Sequence, residues 1–107
     1  MTAWRLFTVQ GPYTGKTTSL KNLTRFGRET DNDICIPDEQ VSRAHAQIEQ
    51  TSEGYLLTDL KSTNGTFIND RKITQPTLLR IGDAISIGPA RFLVLAEATG
   101  ALDPKLP

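Results

Sequence analysis

The chain has 107 residues, in which twelve lysines and arginines balance twelve aspartates and glutamates. A chain of this length can bury one hydrophobic core of its own. The zero net charge excludes a global attraction to nucleic acid or to an anionic membrane, so any anion site must be local. The single cysteine, Cys35, excludes both an internal disulfide framework and a cysteine-rich zinc site.

The composition and the first residues also bear on location. The start of the chain lacks a basic region followed by a long apolar stretch, and no segment reaches the roughly 18 apolar residues that span a bilayer. One cysteine is typical of a reducing compartment. We therefore expect a cytoplasmic protein without a membrane or nucleic-acid partner, and the lack of an obvious apolar surplus predicts a monomer.

Short apolar runs of strand length recur along the chain. They cover residues 4–9, 33–36, 46–48, 55–57, 66–68, 84–87 and 91–95. Turn-forming pairs such as Gly11-Pro12 and Gly88-Pro89 separate them, and no stretch keeps a helical period over ten or more residues. The spacing of roughly 8 to 12 residues between strands predicts an all-β sandwich or barrel. We expect residues 1–96 to form one domain and the unpatterned residues 97–107 to be a flexible tail or linker stub.

The stretch "GPYTGKTTSL" (11–20) superficially resembles a nucleotide-binding phosphate loop. Such a loop needs four residues between its first glycine and the Gly-Lys pair, whereas this stretch has three. It must also lead into a helix, and the residues after Lys16 show no helical stripe. The residues favour a loop between two antiparallel strands, in which Gly15 has a positive φ and Lys16 is solvated.

Three other loops concentrate groups that suit an anion. Residues 26–33 contain Gly27 and Arg28, residues 41–48 contain Ser42, Arg43 and the only histidine, and residues 61–67 contain Lys61, Ser62, Thr63, Asn64 and Gly65. Loops at one end of a sandwich can converge although they are distant in sequence. A phosphorylated side chain carries about −1.5 to −2 charges and three acceptor oxygens, so this donor set favours phosphate over a carboxylate.

Each loop taken alone also has a simpler interpretation. Gly27-Arg28 fits a turn with a surface cation. Asn64-Gly65 taken by itself indicates only a type I′ turn. His45, between Ala44 and Ala46, fits a partly buried packing residue. The anion-site hypothesis therefore depends on the combination and order of the loops.

That combination closely resembles the forkhead-associated (FHA) domain family. The resemblance covers residues 3–96, and its motifs are Gly27-Arg28, Asn32-Asp33-Ile34, Ser42-Arg43-x-His45-Ala46, Asp59-Leu60-x-Ser62-Thr63-Asn64-Gly65-Thr66, Asn69 and Gly82-Asp83. It implies a sandwich of two twisted, mostly antiparallel sheets with about eleven short strands and termini close together. It places residues 11–20 in the loop between the first two strands, away from the phosphate site.

The resemblance also implies a function, namely binding of phosphothreonine in partner proteins downstream of Ser/Thr kinases. By this likeness Arg28 grips the phosphate, Ser42 donates its hydroxyl, Arg43 and Thr63 add contacts, and Asn64 holds the peptide main chain. Gly27, His45 and Gly65 then support the site, and His45 braces the Ser42 loop. No cofactor and no metal are implied. Lys61 and Asp70 depart from the family pattern, because glycine is frequent at both places.

Two other functional classes stay open beside this one. The first is a phosphate-independent scaffold that uses a sheet surface, which intact pocket residues make less favoured. The second is an enzyme, for which no nucleophile with a positioned base and no metal-ligand spacing is present. The threonines of the opening loop, Thr14, Thr17 and Thr18, are candidate phosphorylation sites, although surface threonines are ordinary in β-rich turns.

Overall fold

The computed structural model describes residues 4–96, and these contain strands and loops but no helix. Accordingly, none of the described segments is a long apolar helix of the kind that crosses a membrane. Residues 4–96 form eleven strands: β1 (Trp4–Gln10), β2 (Thr17–Ser19), β3 (Leu23–Gly27), β4 (Ile34–Cys35), β5 (Ala46–Thr51), β6 (Gly54–Asp59), β7 (Phe67–Ile68), β8 (Arg71–Lys72), β9 (Thr77–Leu78), β10 (Ala84–Ile87) and β11 (Ala90–Ala96). The predicted tail, residues 97–107, lies outside the described residues.

The strands form two sheets. One has the order β2-β1-β11-β10-β7-β8 and the other the order β4-β3-β5-β6-β9. All pairs are antiparallel except β3 with β4. The first and last strands are neighbours, with Trp4 opposite Ala96. The predicted all-β sandwich of mostly antiparallel sheets is therefore confirmed, and the two ends of the described range lie side by side.

Each predicted apolar run overlaps a strand, but four strands have no such run. β3 alternates Thr24 and Phe26 toward the core, so its inward positions are not all apolar. β2 consists of threonine and serine, and β8 of two exposed charged residues at the edge of its sheet. Edge strands are often short and polar, because one side of them has no strand to pair with.

The core lies between the two sheets and follows the period-two alternation of the strands. In β11 the buried side chains are Ala90, Phe92 and Val94, and Phe26 of β3 reaches across from the opposite sheet. The rings of Phe26 and Phe92 meet edge to face with centroids 5.5 Å apart. This contact joins the two sheets near the end of β3, next to Gly27.

The opening stretch forms the loop between β1 and the antiparallel β2. The Thr8 N–H donates to the Lys16 carbonyl at 2.9 Å, and the Gly15 N–H donates to the Thr8 carbonyl at 2.8 Å. Gly15 has a φ of +94° and Lys16 is exposed. The prediction of a loop that connects two antiparallel strands is confirmed.

Both departures from the family pattern lie at left-handed positions. Lys61 has a φ of +58°, and Asp70 has a φ of +69° in the two-residue turn that joins β7 to β8. Asn69 precedes it with a φ of +52°. Asparagine and aspartate tolerate this conformation better than other non-glycine residues, so the turn keeps its geometry without glycine.

Candidate functional site

The first loop of the site begins where β3 ends. Gly27 is buried, and a Cβ atom there would lie 2.1 Å from the Arg43 carbonyl oxygen. Only glycine allows the two backbones to come this close. The Arg28 N–H consequently donates to the Ser42 carbonyl at 3.0 Å. The Arg28 side chain itself is exposed and makes no hydrogen bond or ion pair with any residue from 4 to 96.

Asn32 reinforces the junction between the first two loops. Its amide nitrogen donates to the Arg43 carbonyl at 2.8 Å and to the Glu29 carbonyl at 2.9 Å. Asn32 belongs to the sequence motif, but no role in the site was predicted for it. The available signal was the preference of asparagine for hydrogen bonds to nearby backbone groups in turns. The backbone of Arg43 is thus held by Asn32. The Arg43 guanidinium lies on the surface and has no partner among the described residues.

The second loop meets the third through Ser42. The Thr63 N–H donates to the Ser42 hydroxyl oxygen at 3.0 Å. Because the oxygen acts as acceptor there, the hydroxyl hydrogen of Ser42 remains for another acceptor. Ser42 is half-buried, whereas Thr63 is exposed. This bond places the Ser42 hydroxyl and the Thr63 side chain side by side, in the same loop cluster as Arg28.

His45 lies beneath this junction and is completely buried. Its Nδ1 accepts a hydrogen bond from the Ser42 N–H at 3.1 Å, and its Nε2 lies 2.8 Å from the Gly65 carbonyl oxygen. Since Nδ1 accepts, the ring proton resides on Nε2 and is donated to Gly65. One imidazole thus joins the second loop to the third. The burial of His45 is thus complete rather than partial, although of its two neighbours only Ala46 is buried and Ala44 is exposed.

Asp59 organises the third loop from within. Its Oδ1 accepts hydrogen bonds from the hydroxyls of Ser62 (2.5 Å) and Thr66 (2.7 Å), and its Oδ2 accepts one from the Ser62 N–H at 3.1 Å. Burial raises the pKa of Asp59, but these hydrogen bonds outweigh that effect and hold the pKa below its ordinary value. The Ser62 hydroxyl oxygen in turn accepts the Gly65 N–H at 2.9 Å.

Asn64 and Gly65 do not form the type I′ hairpin turn that the dipeptide by itself indicates. Residues 60–66 cross from β6 in one sheet to β7 in the other, so no hairpin connects these strands. Gly65 has a φ of +91°, whereas Asn64 has no positive φ. The Asn64 amide donates to the Gln40 carbonyl at 2.7 Å, which ties this loop to the residues before Ser42. The bonds of Asp59 and Ser62 within the loop, together with the bond to Gln40, hold residues 60–66 in a shape other than a hairpin turn.

Hydrogen bonds therefore join all three predicted loops at one end of the sandwich. Their exposed face presents the Arg28 and Arg43 guanidinium groups, the Ser42 hydroxyl, Thr63 and the Asn64 amide, while Gly27, His45 and Gly65 lie behind them. Such a set of cationic and neutral donors is complementary to an anion with several acceptor oxygens.

Known proteins match the chain in sequence and in structure. An ABC transporter ATP-binding/permease protein of Mycobacterium tuberculosis is 43% identical over 75 residues, which make up 70% of this chain and 8% of that protein. An oxoglutarate dehydrogenase inhibitor of Corynebacterium jeikeium is 37% identical over 80% of this chain and 60% of its own length. The chain thus spans less than two thirds of these curated relatives.

A solved structure provides the third comparison. Mycobacterium tuberculosis EmbR in complex with a low affinity phosphopeptide is similar with a TM-score of 0.82 and 33% identity, over 91% of this chain and 25% of that one. The sequence model of the FHA domain matches residues 24–88, more than half of the chain and all three loops. The chain belongs to the FHA domain family.

Proposed function

We propose that this chain is a phosphothreonine-dependent interaction module that binds phosphorylated partners in Ser/Thr kinase pathways. The observation that carries the proposal is the junction of Arg28, Ser42 and Thr63. The Arg28 N–H donates to the Ser42 carbonyl, and the Thr63 N–H donates to the Ser42 hydroxyl oxygen. The Arg28 guanidinium has no partner among residues 4–96, and the Ser42 hydroxyl keeps its hydrogen for a ligand. A phosphate group supplies the charge and the acceptors that these groups lack.

Each residue has a role in this proposal. Arg28 binds phosphate oxygens through its planar fork of donors, Ser42 donates its hydroxyl, and Arg43 adds positive charge. Thr63 lines the surface beside the threonine methyl group. Asn64 uses one N–H on Gln40, so its Oδ1 and its second N–H are left for the peptide main chain. The likeness to EmbR, whose structure contains a bound phosphopeptide, supports this assignment.

Titration calorimetry tests the proposal. We expect heat of binding from a degenerate phosphothreonine peptide pool, little from the phosphoserine pool, and none from the unphosphorylated pool. The difference between the first two reflects one methyl group, worth about 1 kcal/mol. The absence of heat of binding with all three pools would contradict the proposal and favour the scaffold that uses a sheet surface.

Replacement of Arg28 by Ala tests the mechanism separately. Loss of a charge-assisted, bidentate contact costs about 2–4 kcal/mol, so affinity for the phosphothreonine pool should fall by at least thirtyfold, to about the detection limit. Arg80→Ala is the matched control, since Arg80 is an exposed arginine in the loop before β10, outside the three-loop cluster. Equal affinity of Arg28→Ala and wild type would overturn the assigned role of Arg28.

The proposal also includes location and state. A module that binds the phosphorylated products of kinases acts in the cytoplasm, where those products are. We expect it to be a monomer and to have no enzymatic activity of its own. Light scattering of the purified chain tests whether it is a monomer, and a hydrolysis assay on ATP and a generic phosphoester tests whether it has an enzymatic activity.

A further inference from the structure

A second cluster of cations lies beside the third loop. Lys61 and Lys72 line a cleft of about 400 Å³ together with Asp59 and the two threonines Thr58 and Thr74. Both lysines are exposed, and neither forms an ion pair or a side-chain hydrogen bond with any residue from 4 to 96. The cleft therefore presents two ammonium groups with neighbouring hydroxyls.

The cleft adjoins the loop that carries Thr63 and Asn64. A Cβ atom at Gly65 would lie 2.8 Å from Cε of Lys72, so the aliphatic part of this lysine crosses the loop directly after Asn64. Lys61 precedes Thr63 by two residues, and its left-handed backbone is part of the bend that begins this loop. A peptide held at Thr63 and Asn64 would thus have its flanking side chains within reach of the two lysines.

The carboxylate in the cleft does not neutralise these lysines by direct contact. Both oxygens of Asp59 accept hydrogen bonds within the loop, from Ser62 and Thr66. By contrast, the cavity beside Arg43 also contains Glu29 and Asp31, which offset positive charge on that side. Since the chain has no net charge, the Lys61–Lys72 cleft is a local feature that favours anions.

We infer that this cleft, if the proposed function holds, binds an anionic side chain that flanks the phosphothreonine of the same partner. The group is a carboxylate or a second phosphate, because either can accept hydrogen bonds from two ammonium groups and from the threonine hydroxyls. The module would then select acidic or doubly phosphorylated segments over neutral ones.

Three peptides test this inference. Each has a central phosphothreonine. The flanking residues on both sides are alanines in the first peptide and glutamates in the second, and the third has alanines together with a second phosphothreonine. We expect the wild-type chain to bind both anionic peptides about three- to tenfold more tightly than the alanine peptide, as two exposed ion pairs allow. Added salt should shrink this preference because the pairs are exposed.

The double variant Lys61→Asn, Lys72→Gln removes the two charges, and asparagine suits the left-handed backbone at position 61. It should bind all three peptides with the affinity that the wild type shows for the alanine peptide. The control Lys16→Gln, Arg80→Gln removes the same charge from other loops and should keep the preference.

The outcomes separate this inference from the proposed function. Equal wild-type affinity for the three peptides, or a preference that survives in the double variant, would overturn the anionic cleft and leave the phosphothreonine site standing. A preference for only one anionic peptide would identify the group as carboxylate or phosphate. No binding of any peptide would overturn both proposals.

Discussion

Individual residues support the site through close approach as much as through charge. Gly27 illustrates this, because the Arg43 carbonyl occupies the space that a Cβ atom would need. Asn32 and His45 act in the same way, each hydrogen-bonded to two loops through one side chain. Arg28 is exposed above this framework, and the backbone bonds behind it determine where its guanidinium can reach.

Gly27→Ala should therefore be costly for both stability and binding. Overpacking against a rigid carbonyl typically costs about 1–3 kcal/mol, and here it must also separate Arg28 from Ser42. We expect a lower urea midpoint and a large loss of phosphopeptide affinity. In the comparison variant Gly15→Ala the new Cβ has open space around it, so only the left-handed backbone costs about 1–2 kcal/mol and binding should persist. Equal effects on binding would contradict the close-approach explanation.

At the scale of elements, the segment between β6 and β7 is a loop built around one carboxylate. Asp59 at the end of β6 holds Ser62 and Thr66, and Ser62 holds Gly65. Asn64 then ties the segment to the residues before Ser42. The shape of this segment thus depends on side-chain hydrogen bonds rather than on strand pairing.

This network predicts a dependence of stability on pH. Because the folded-state pKa of Asp59 lies below its ordinary value, its ionised form contributes stability above about pH 4, and that contribution is lost as pH falls through the folded pKa. Asp59→Asn should cost about 1–3 kcal/mol at neutral pH and weaken the fall in stability below about pH 4. Urea unfolding across this pH range measures both effects.

Part of that dependence should survive in the Asp59→Asn variant. A hydrogen bond from the Lys21 side chain, together with one from the Arg25 N–H, also lowers the pKa of Asp33, so this second carboxylate titrates in the same range. Asp33→Asn provides the comparison, because it lies in the first loop away from Asp59. An unchanged pH profile in Asp59→Asn would contradict the role of the network.

At the scale of the whole molecule, the sandwich holds the three loops at one end. Loops separated by the length of β5 and β6 meet because β3, β5 and β6 are neighbours in one sheet. The crossing of residues 60–66 into the other sheet then brings Thr63 to Ser42. Stability of the core should therefore determine whether the site exists at all.

Phe92→Ala tests this dependence. Removal of a buried phenylalanine costs about 3–5 kcal/mol, and here it also removes the contact with Phe26 across the sheets. We expect a large drop in the unfolding midpoint by circular dichroism. Leu78→Ala, at an edge-strand position that is 43% exposed, should change stability by only about 0.5 kcal/mol. A similar cost for both variants would contradict the assigned core.

The sequence by itself determined the fold class, the positions of seven of the eleven described strands, and the family. Alternation, turn residues and motif order can be recognised in the sequence without knowing which residues meet in the fold. It did not predict β3, since Thr24 and the exposed Arg25 interrupt its apolar pattern. Asn64-Gly65 taken alone indicates a type I′ turn, and the structure has a different loop there.

Only the tertiary structure decided how the site is assembled. The close approach of Gly27 to Arg43, the hydrogen bond of His45 to Gly65 and the bond from Asn64 to Gln40 join residues that lie 16 to 24 positions apart. The pairing of Lys61 with Lys72 in one cleft is of the same kind. Such contacts follow from sheet order and register, which bring distant residues together, and no local sequence pattern encodes these distances.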